Sequence, residues 1–265
     1  MNGEINLEEI KTNGKIYIIG DLHLSLNDKT NKSMEVFKGK WENYVEKIES
    51  NWKELVKSED IVIVAGDISW EMTLEEAFYD LDFLNKLPGT KILLKGNHDY
   101  WWESKKKMEE YFEKNNFDTF KILYNNSYNI GDINIYGTKG WSFQEEGDFK
   151  NLRREGLRLK LSRDSIKNKD LINVCVTHYP PFLSKKDIDK IKLNEDIDID
   201  LELENIDYVK IMQKINTKVC FYGHLHGVGH NFRVEGNKEG IYFKLISGDF
   251  IDFKPLCLND ILIEI

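Results

Sequence analysis

Residues 15–23 read Lys15-Ile-Tyr-Ile-Ile-Gly-Asp-Leu-His23: an apolar run of strand length that breaks at a glycine and delivers an aspartate and a histidine. The pattern returns at Asp60-Ile-Val-Ile-Val-Ala-Gly-Asp67 and at Lys91-Ile-Leu-Leu-Lys-Gly-Asn-His-Asp99. The runs are rich in β-branched residues and lack polar alternation, the mark of parallel strands buried on both faces. Helical patterns separate them. Trp41, Tyr44, Val45, Ile48, Trp52, Leu55 and Val56 recur at three- and four-residue steps on one face. Thr73-Leu-Glu-Glu76 is a capping box, and behind it Leu74, Ala77, Phe78, Leu81 and Leu84 turn inward. Strand, helix, strand, helix, strand over residues 15–95 predicts two right-handed parallel crossovers.

Further strand-sized runs lie at Ile133–Tyr136, Leu171–Thr177, Lys218–Tyr222, Ile241–Ser247 and Leu258–Ile265. Beyond residue 120 helices thin out, apart from a charged stretch over Asp148–Lys169 and a shorter one near Ile206–Ile215. A second sheet packed on the first is expected. Lys185–Asn205, rich in Asp, Lys and Glu, reads as an exposed loop or insertion. No Pro- or Ser-rich linker interrupts the 265 residues, so residues 1–265 are expected to form one α/β domain.

Hydrophobic residues make up 41% of the chain and charged ones 31%, which excludes a disordered or membrane-embedded protein. The formal charge of −9 provides no net positive field to collect nucleic acid or anionic lipid. Cys175, Cys220 and Cys257 are widely spaced, lie in or beside apolar runs, and read as buried free thiols of a reducing compartment. The polar, mixed-charge N-terminus has no apolar signal segment, and no run approaches the ~18 residues a spanning helix needs. A cytoplasmic location is expected.

In open parallel sheets the binding crevice lies off the carboxyl ends of the strands. Five of the six histidines (His23, His98, His178, His224 and His226) fall in segments that follow apolar runs, and His230 reads as a structural or exposed bystander. Gly-Asp alone is weak evidence, because the chain has five such pairs. Gly131-Asp132 reads as a hairpin turn, Gly147-Asp148 as a helix N-cap, and Gly248-Asp249 as ambiguous. Gly20-Asp21 and Gly66-Asp67 differ in following buried-strand patterns. Two Asp, one Asn and four His converging there are too many polar groups for a packed core unless cations satisfy them. Oxygen and imidazole donors without thiolate point to two divalent ions, Mn²⁺ first, with Fe or Zn²⁺ also compatible.

In order, Asp21-Leu-His23, Gly66-Asp67, Gly96-Asn-His-Asp99, His178 and Gly223-His-Leu-His226 resemble the motifs of the calcineurin-like metallophosphoesterase superfamily. The resemblance spans Gly20 to Gly227. It implies a four-layer α/β/β/α sandwich, two packed mixed sheets flanked by helices, with a di-metal site at the strand ends. One ion would be held by Asp21, His23, Asp67 and His226, the other by Asp67, Asn97, His178 and His224, with Asp67 bridging. His98, oriented by Asp99, would protonate the leaving oxygen. Two ions roughly 3.5–4 Å apart acidify a shared water and clamp the phosphoryl oxygens, so that hydroxide attacks phosphorus in line. The implied activity is phosphoester hydrolysis of a small substrate.

Gly66-Asp67-Ile68-Ser69 lacks the Asp-Arg-Gly continuation of the protein Ser/Thr phosphatases, and Asn97-His98 is followed by Asp rather than Glu. That argues against a protein phosphatase. Trp101-Trp102 and Gly137-Thr-Lys-Gly-Trp141 are similar to a bacterial branch of predicted phosphohydrolases. Four of the five arginines fall in Arg153–Arg163, and Arg154 and Arg158 either grip phosphate or belong to a solvated helix face above Leu157 and Leu161. Tyr179, like Trp101 and Trp102, either stacks on a substrate or packs beside the site. Competing readings are a nuclease, which the acidic balance disfavours, a cyclic-nucleotide or other phosphodiesterase, and a non-catalytic binding module. Such a module tends to lose ligands, and here none is missing.

Overall fold

A computed structural model describes residues 7–30, 32–142, 148–183, 187–189 and 199–265. The chain divides into two compact units, each assembled from three segments. One comprises Met1–Lys11, Leu123–Tyr222 and Val234–Lys244, the other Thr12–Ile122, Gly223–Arg233 and Leu245–Ile265.

The strands are β1 (Leu7–Glu9), β2 (Ile16–Ile19), β3 (Ile61–Ala65), β4 (Thr90–Leu94), β5 (Phe120–Ile122), β6 (Ser127–Ile130), β7 (Ile133–Thr138), β8 (Ile172–Thr177), β9 (Thr217–Tyr222), β10 (Gly236–Lys238), β11 (Ile241–Leu245) and β12 (Leu256–Cys257). They form two mixed sheets, ordered β1-β6-β7-β8-β9-β11-β10 and β12-β2-β3-β4-β5. In the five-stranded sheet β2, β3, β4 and β5 run parallel and β12 closes one edge antiparallel. Every residue of β2 and β3 is buried, as their unbroken apolar runs require.

Flanking helices are α1 (Tyr44–Leu55), α2 (Phe78–Lys86), α3 (Lys105–Lys114), α4 (Asp148–Asp164), α5 (Ile199–Ile206), α6 (Tyr208–Gln213) and α7 (Leu258–Glu264), with 3₁₀ turns at Met34–Phe37, Gly39–Trp41 and Gly227–Phe232. The expected stripe of α1 forms, with Tyr44, Ile48 and Trp52 packed with Tyr17, Ile19, Val62, Val64 and Leu93 in one core. The capping box closes: Thr73 N–H donates to Glu76 Oε2 at 3.1 Å, and Glu76 N–H to Thr73 Oγ1 at 3.2 Å. It seals a single turn ahead of α2.

Several expectations change. Leu258–Ile265 is not a strand: after Cys257 pairs with Tyr17, the Asn259 side chain accepts the N–H of Ile16 at 2.8 Å, ending the ladder, and α7 follows. Residues 199–205 of the expected loop belong to α5, while 184–186 and 190–198 lie outside the described residues. Leu157 and Leu161 are exposed; α4 buries Leu152, Glu155, Leu159 and Ser162 instead. Its inward face is set at Gly156, where a Cβ would stand 1.7 Å from the Asn205 carbonyl oxygen. Gly131-Asp132 is the expected hairpin turn between β6 and β7. Gly147 lies outside the described residues. The three cysteines are free; Cys175 and Cys220 are buried cross-strand neighbours, and Cys257 is only half-buried. Among the described residues no helix is long and apolar enough to cross a membrane.

Candidate metal centre

Loops leaving the carboxyl ends of β2, β3 and β4 carry Asp21 and His23, Asp67, and Asn97 to Asp99. The hydrogen-bond ladder continues past the strands, with Asp21 N–H donating to Gly66 O at 2.9 Å, His23 N–H to Asp67 O at 2.8 Å and Leu24 N–H to Ile68 O at 2.9 Å. Those bonds hold Asp21, His23 and Asp67 at φ of 56°, 45° and 49°, and His224 stands at 72°. Left-handed backbone at four non-glycine residues costs of order 1–3 kcal/mol each and persists where the surroundings over-determine it. Close packing does so here. A Cβ on Gly96 would stand 2.1 Å from Asp67 Oδ1, and one on Gly223 would stand 2.2 Å from Asp21 Oδ2.

The polar ends converge. His23 Nε2 lies 3.1 Å from His226 Nε2 and 3.6 Å from Asp67 Oδ2, and His226 Nε2 is 3.3 Å from Asp21 Oδ1. His224 N–H donates to both Asp21 oxygens at 3.0 Å, and its Nδ1 lies 2.8 Å from Asn97 Oδ1. Asp21, His23 and His226 each offer a ligand atom, all within 4.8 Å of one another. Two facing imidazole nitrogens beside two buried carboxylates either share one proton or turn both lone pairs on a cation. This donor set, nitrogen and oxygen without sulfur, fits Mn²⁺, Fe or Zn²⁺. Burial pushes His23 down to about 4, which keeps its imidazole neutral and its lone pair available. Burial pulls His226 the same way, but Asp21 and Asp249 override it and raise its pKa to about 10, so the carboxylates demand positive charge at that point.

The ambiguous Gly248-Asp249 pair belongs to this site. Asp249 Oδ1 sits 2.8 Å from His226 Nδ1, and its Oδ2 accepts the Gly227 N–H at 3.1 Å. A carboxylate on the far nitrogen of a ligating histidine fixes both tautomer and ring orientation. The available signal was its place just after the run Ile241–Ser247. His230, read as a bystander, has its Nε2 3.4 Å from Asp249 Oδ2. Tyr44, read only as a core residue, donates its hydroxyl to His23 O at 2.8 Å.

His98 N–H donates to Asp67 Oδ1 at 2.8 Å, and its ring lies 4.3 Å from that of Trp70. Asp99 is fully buried and accepts from the N–H groups of Ile68 (2.8 Å), Ser69 (3.2 Å) and Gly96 (2.6 Å) and from Trp101 Nε1 (3.1 Å). Its contact is therefore with the two loops that carry Asp67 and His98. Burial, aided by Asp67, raises its pKa to about 6.

His178, Tyr179, Arg154 and Arg158 lie in the other unit. His178 follows β8 and is fully buried, its N–H donating to Lys139 O at 3.1 Å. Tyr179 is buried beside Trp141, ring centroids 5.6 Å apart. Arg158 donates to buried Glu155 at 2.5 Å and to the Tyr124 hydroxyl at 3.0 Å, and Arg154 Nε lies 3.6 Å from the same Glu155. Those two guanidiniums neutralise a buried carboxylate that also accepts from Thr138 Oγ1 at 2.7 Å. Trp101 and Trp102 are core residues.

A family model described as calcineurin-like phosphoesterase matches residues 14–228. No curated protein matches the chain. Among solved structures, a protein of unknown function from Aquifex aeolicus is similar at 22% identity and a TM-score of 0.47, over 96% of this chain and 100% of that one. A phosphopantetheinyl hydrolase from Mycobacterium tuberculosis is similar at 13% identity and 0.49, over 90% of each chain. A Thermus thermophilus protein is similar at 11% identity and 0.49, over 93% of this chain and 95% of that one.

Proposed function

Since the chain belongs to the calcineurin-like phosphoesterase family, we propose that it hydrolyses phosphate esters at the cluster of Asp21, His23, Asp67 and His226, with His98 serving the leaving group. The observation that carries this reading is the convergence of Asp21, His23 and His226 within 4.8 Å. When bound, a pair of divalent ions supplies charge stabilisation to the phosphoryl oxygens and a water acidified toward neutrality. Asp21 and Asp67 supply the negative charge that holds cations, and neutral His23 supplies a lone pair. Asp249 fixes His226 Nδ1 and leaves Nε2 facing the cluster. Asp67, Asn97 and His224 are the ligands we assign to the second ion; His178 joins them on the resemblance alone. His98 stands outside the ligand set and gives its ring proton to the departing oxygen, worth ~10²–10⁴ in rate.

The test is a screen of Mn²⁺-loaded protein against phosphate mono- and diesters, with Asp67→Asn as control. Turnover of at least one ester class, lost in Asp67→Asn, is expected. His98→Ala should retain metal while turnover falls ~10²–10⁴-fold. A metal-loaded wild type that cleaves no ester would overturn the reading.

A further inference from the structure

His23, His98 and His226 line a cavity of about 740 Å³. Its floor is polar, these three histidines with His230 and Asp249, and its walls are apolar: Met34, Phe37, Trp41, Trp70, Val228 and Phe250. Two of the 3₁₀ segments that contribute to the walls, Met34–Phe37 and Gly227–Phe232, leave large apolar side chains in water. Phe37 is 69% exposed and Val228 84%, and both line the cavity; their neighbours Val36 and Phe232 are 76% and 81% exposed. Scattered exposed hydrophobics need no explanation, but Phe37 and Val228 both present exposed hydrocarbon to one cavity. Trp41 and Trp70 already pack on His23, whereas Phe37 and Val228 lack such cover. Lys38 lies on the same wall, and among the described residues no hydrogen bond or ion pair engages its ammonium, while Lys40 pairs with Asp252.

Resting on the hydrolase reading, we propose that the substrate is an amphiphile: a phosphoester whose organic group is an alkyl or acyl chain lying between Phe37 and Val228. The phosphoryl group sits on the polar floor, and Lys38 adds positive charge on its approach. A nucleoside would ask for hydrogen-bonding groups around its base, whereas Phe37 and Val228, the exposed uncharged side chains of the lining, are hydrocarbon. Each methylene removed from water then adds to binding, and the gain is read as a rise in kcat/KM along a homologous series.

The experiment compares ethyl, butyl, hexyl and octyl phosphate, below micelle-forming concentration, by phosphate release from the Mn²⁺-loaded full chain. The expected rise from ethyl to octyl is at least ~tenfold. In Phe37→Ser/Val228→Ser the octyl-to-ethyl ratio should fall toward one; both sites are exposed, so the fold tolerates the change. Ile263→Ser, at an exposed apolar position on α7 outside the cavity lining, should leave the ratio unaltered. A flat series in wild type, with ethyl phosphate still hydrolysed, overturns the amphiphile proposal and leaves the hydrolase reading standing. Binding of ethyl- and octylphosphonate, followed by tryptophan fluorescence, decides the case in which nothing is hydrolysed. Octylphosphonate binding at least ~tenfold tighter, with the preference lost in the double variant, supports the apolar wall. Equal affinities overturn it.

Discussion

Gly66-Asp67 and Gly131-Asp132 are the same dipeptide used in opposite ways. At 66–67 the chain leaves the middle of a parallel sheet, Asp67 is left-handed at φ 49° and buried, and Gly96 lies against its carboxylate. At 131–132 the chain turns a hairpin in water, and nothing lies within 4 Å of where a Gly131 Cβ would be. What makes one a candidate ligand is closure by a second loop, so the two regions should respond differently to the same small insult.

Gly96→Ala should have the largest effect. Its methyl overlaps Asp67 Oδ1 and backbone, so we expect a loss of about 3 kcal/mol in urea unfolding and of Mn²⁺ affinity by ~100-fold or more. Asp249→Asn, which keeps shape but removes the charge on His226 Nδ1, should weaken Mn²⁺ binding by ~10–100-fold in calorimetry. Unchanged affinity would remove Asp249 from the site.

Lys91 extends the contrast to the other end of β4, where a charge is buried without a ligand role. Burial lowers its pKa from 10.5 to about 7, and its ammonium reaches the Leu87 carbonyl and, at 3.3 Å, Thr119 Oγ1. Between those two values the unfolded chain holds a proton the folded one has lost, so this group's contribution to stability rises with pH, by up to about 1.4 kcal/mol per unit. Lys91→Met should be more stable at neutral pH and lack that rise, measured as the difference in unfolding free energy across pH 7 to 10.5. Gly131→Ala should be mildest, costing about 1–2 kcal/mol for its left-handed φ and leaving Mn²⁺ affinity unaltered.

The legible part of the molecule is the part with a strong local signal. The strands β2, β3, β4, β7, β8 and β9 follow from strand-sized, largely apolar runs, and the ends of the first three point to Asp21, His23, Asp67 and Asn97. Short edge strands such as β1 and β10 carry three residues each and no periodicity to read. Helix α3, rich in lysine and glutamate, buries only Met108 and Phe112, too narrow a stripe to stand out. Leu258–Ile265 misleads because a single side chain, Asn259, ends the strand pairing. Asp249 was visible as a Gly-Asp pair, but only the folded chain brings it to His226 across 23 residues. The cavity walls were not legible at all, since Phe37 and Val228 look like ordinary hydrophobics until their exposure is known.

The most direct measurement is the divalent-metal content of the full chain after saturation with Mn²⁺ and desalting. Wild type is expected to retain about two ions per chain, with Asp21→Ala and Asp67→Asn each falling below one. Fewer than one ion per chain in wild type, or full retention in both variants, would contradict a metal centre at the ends of β2 and β3.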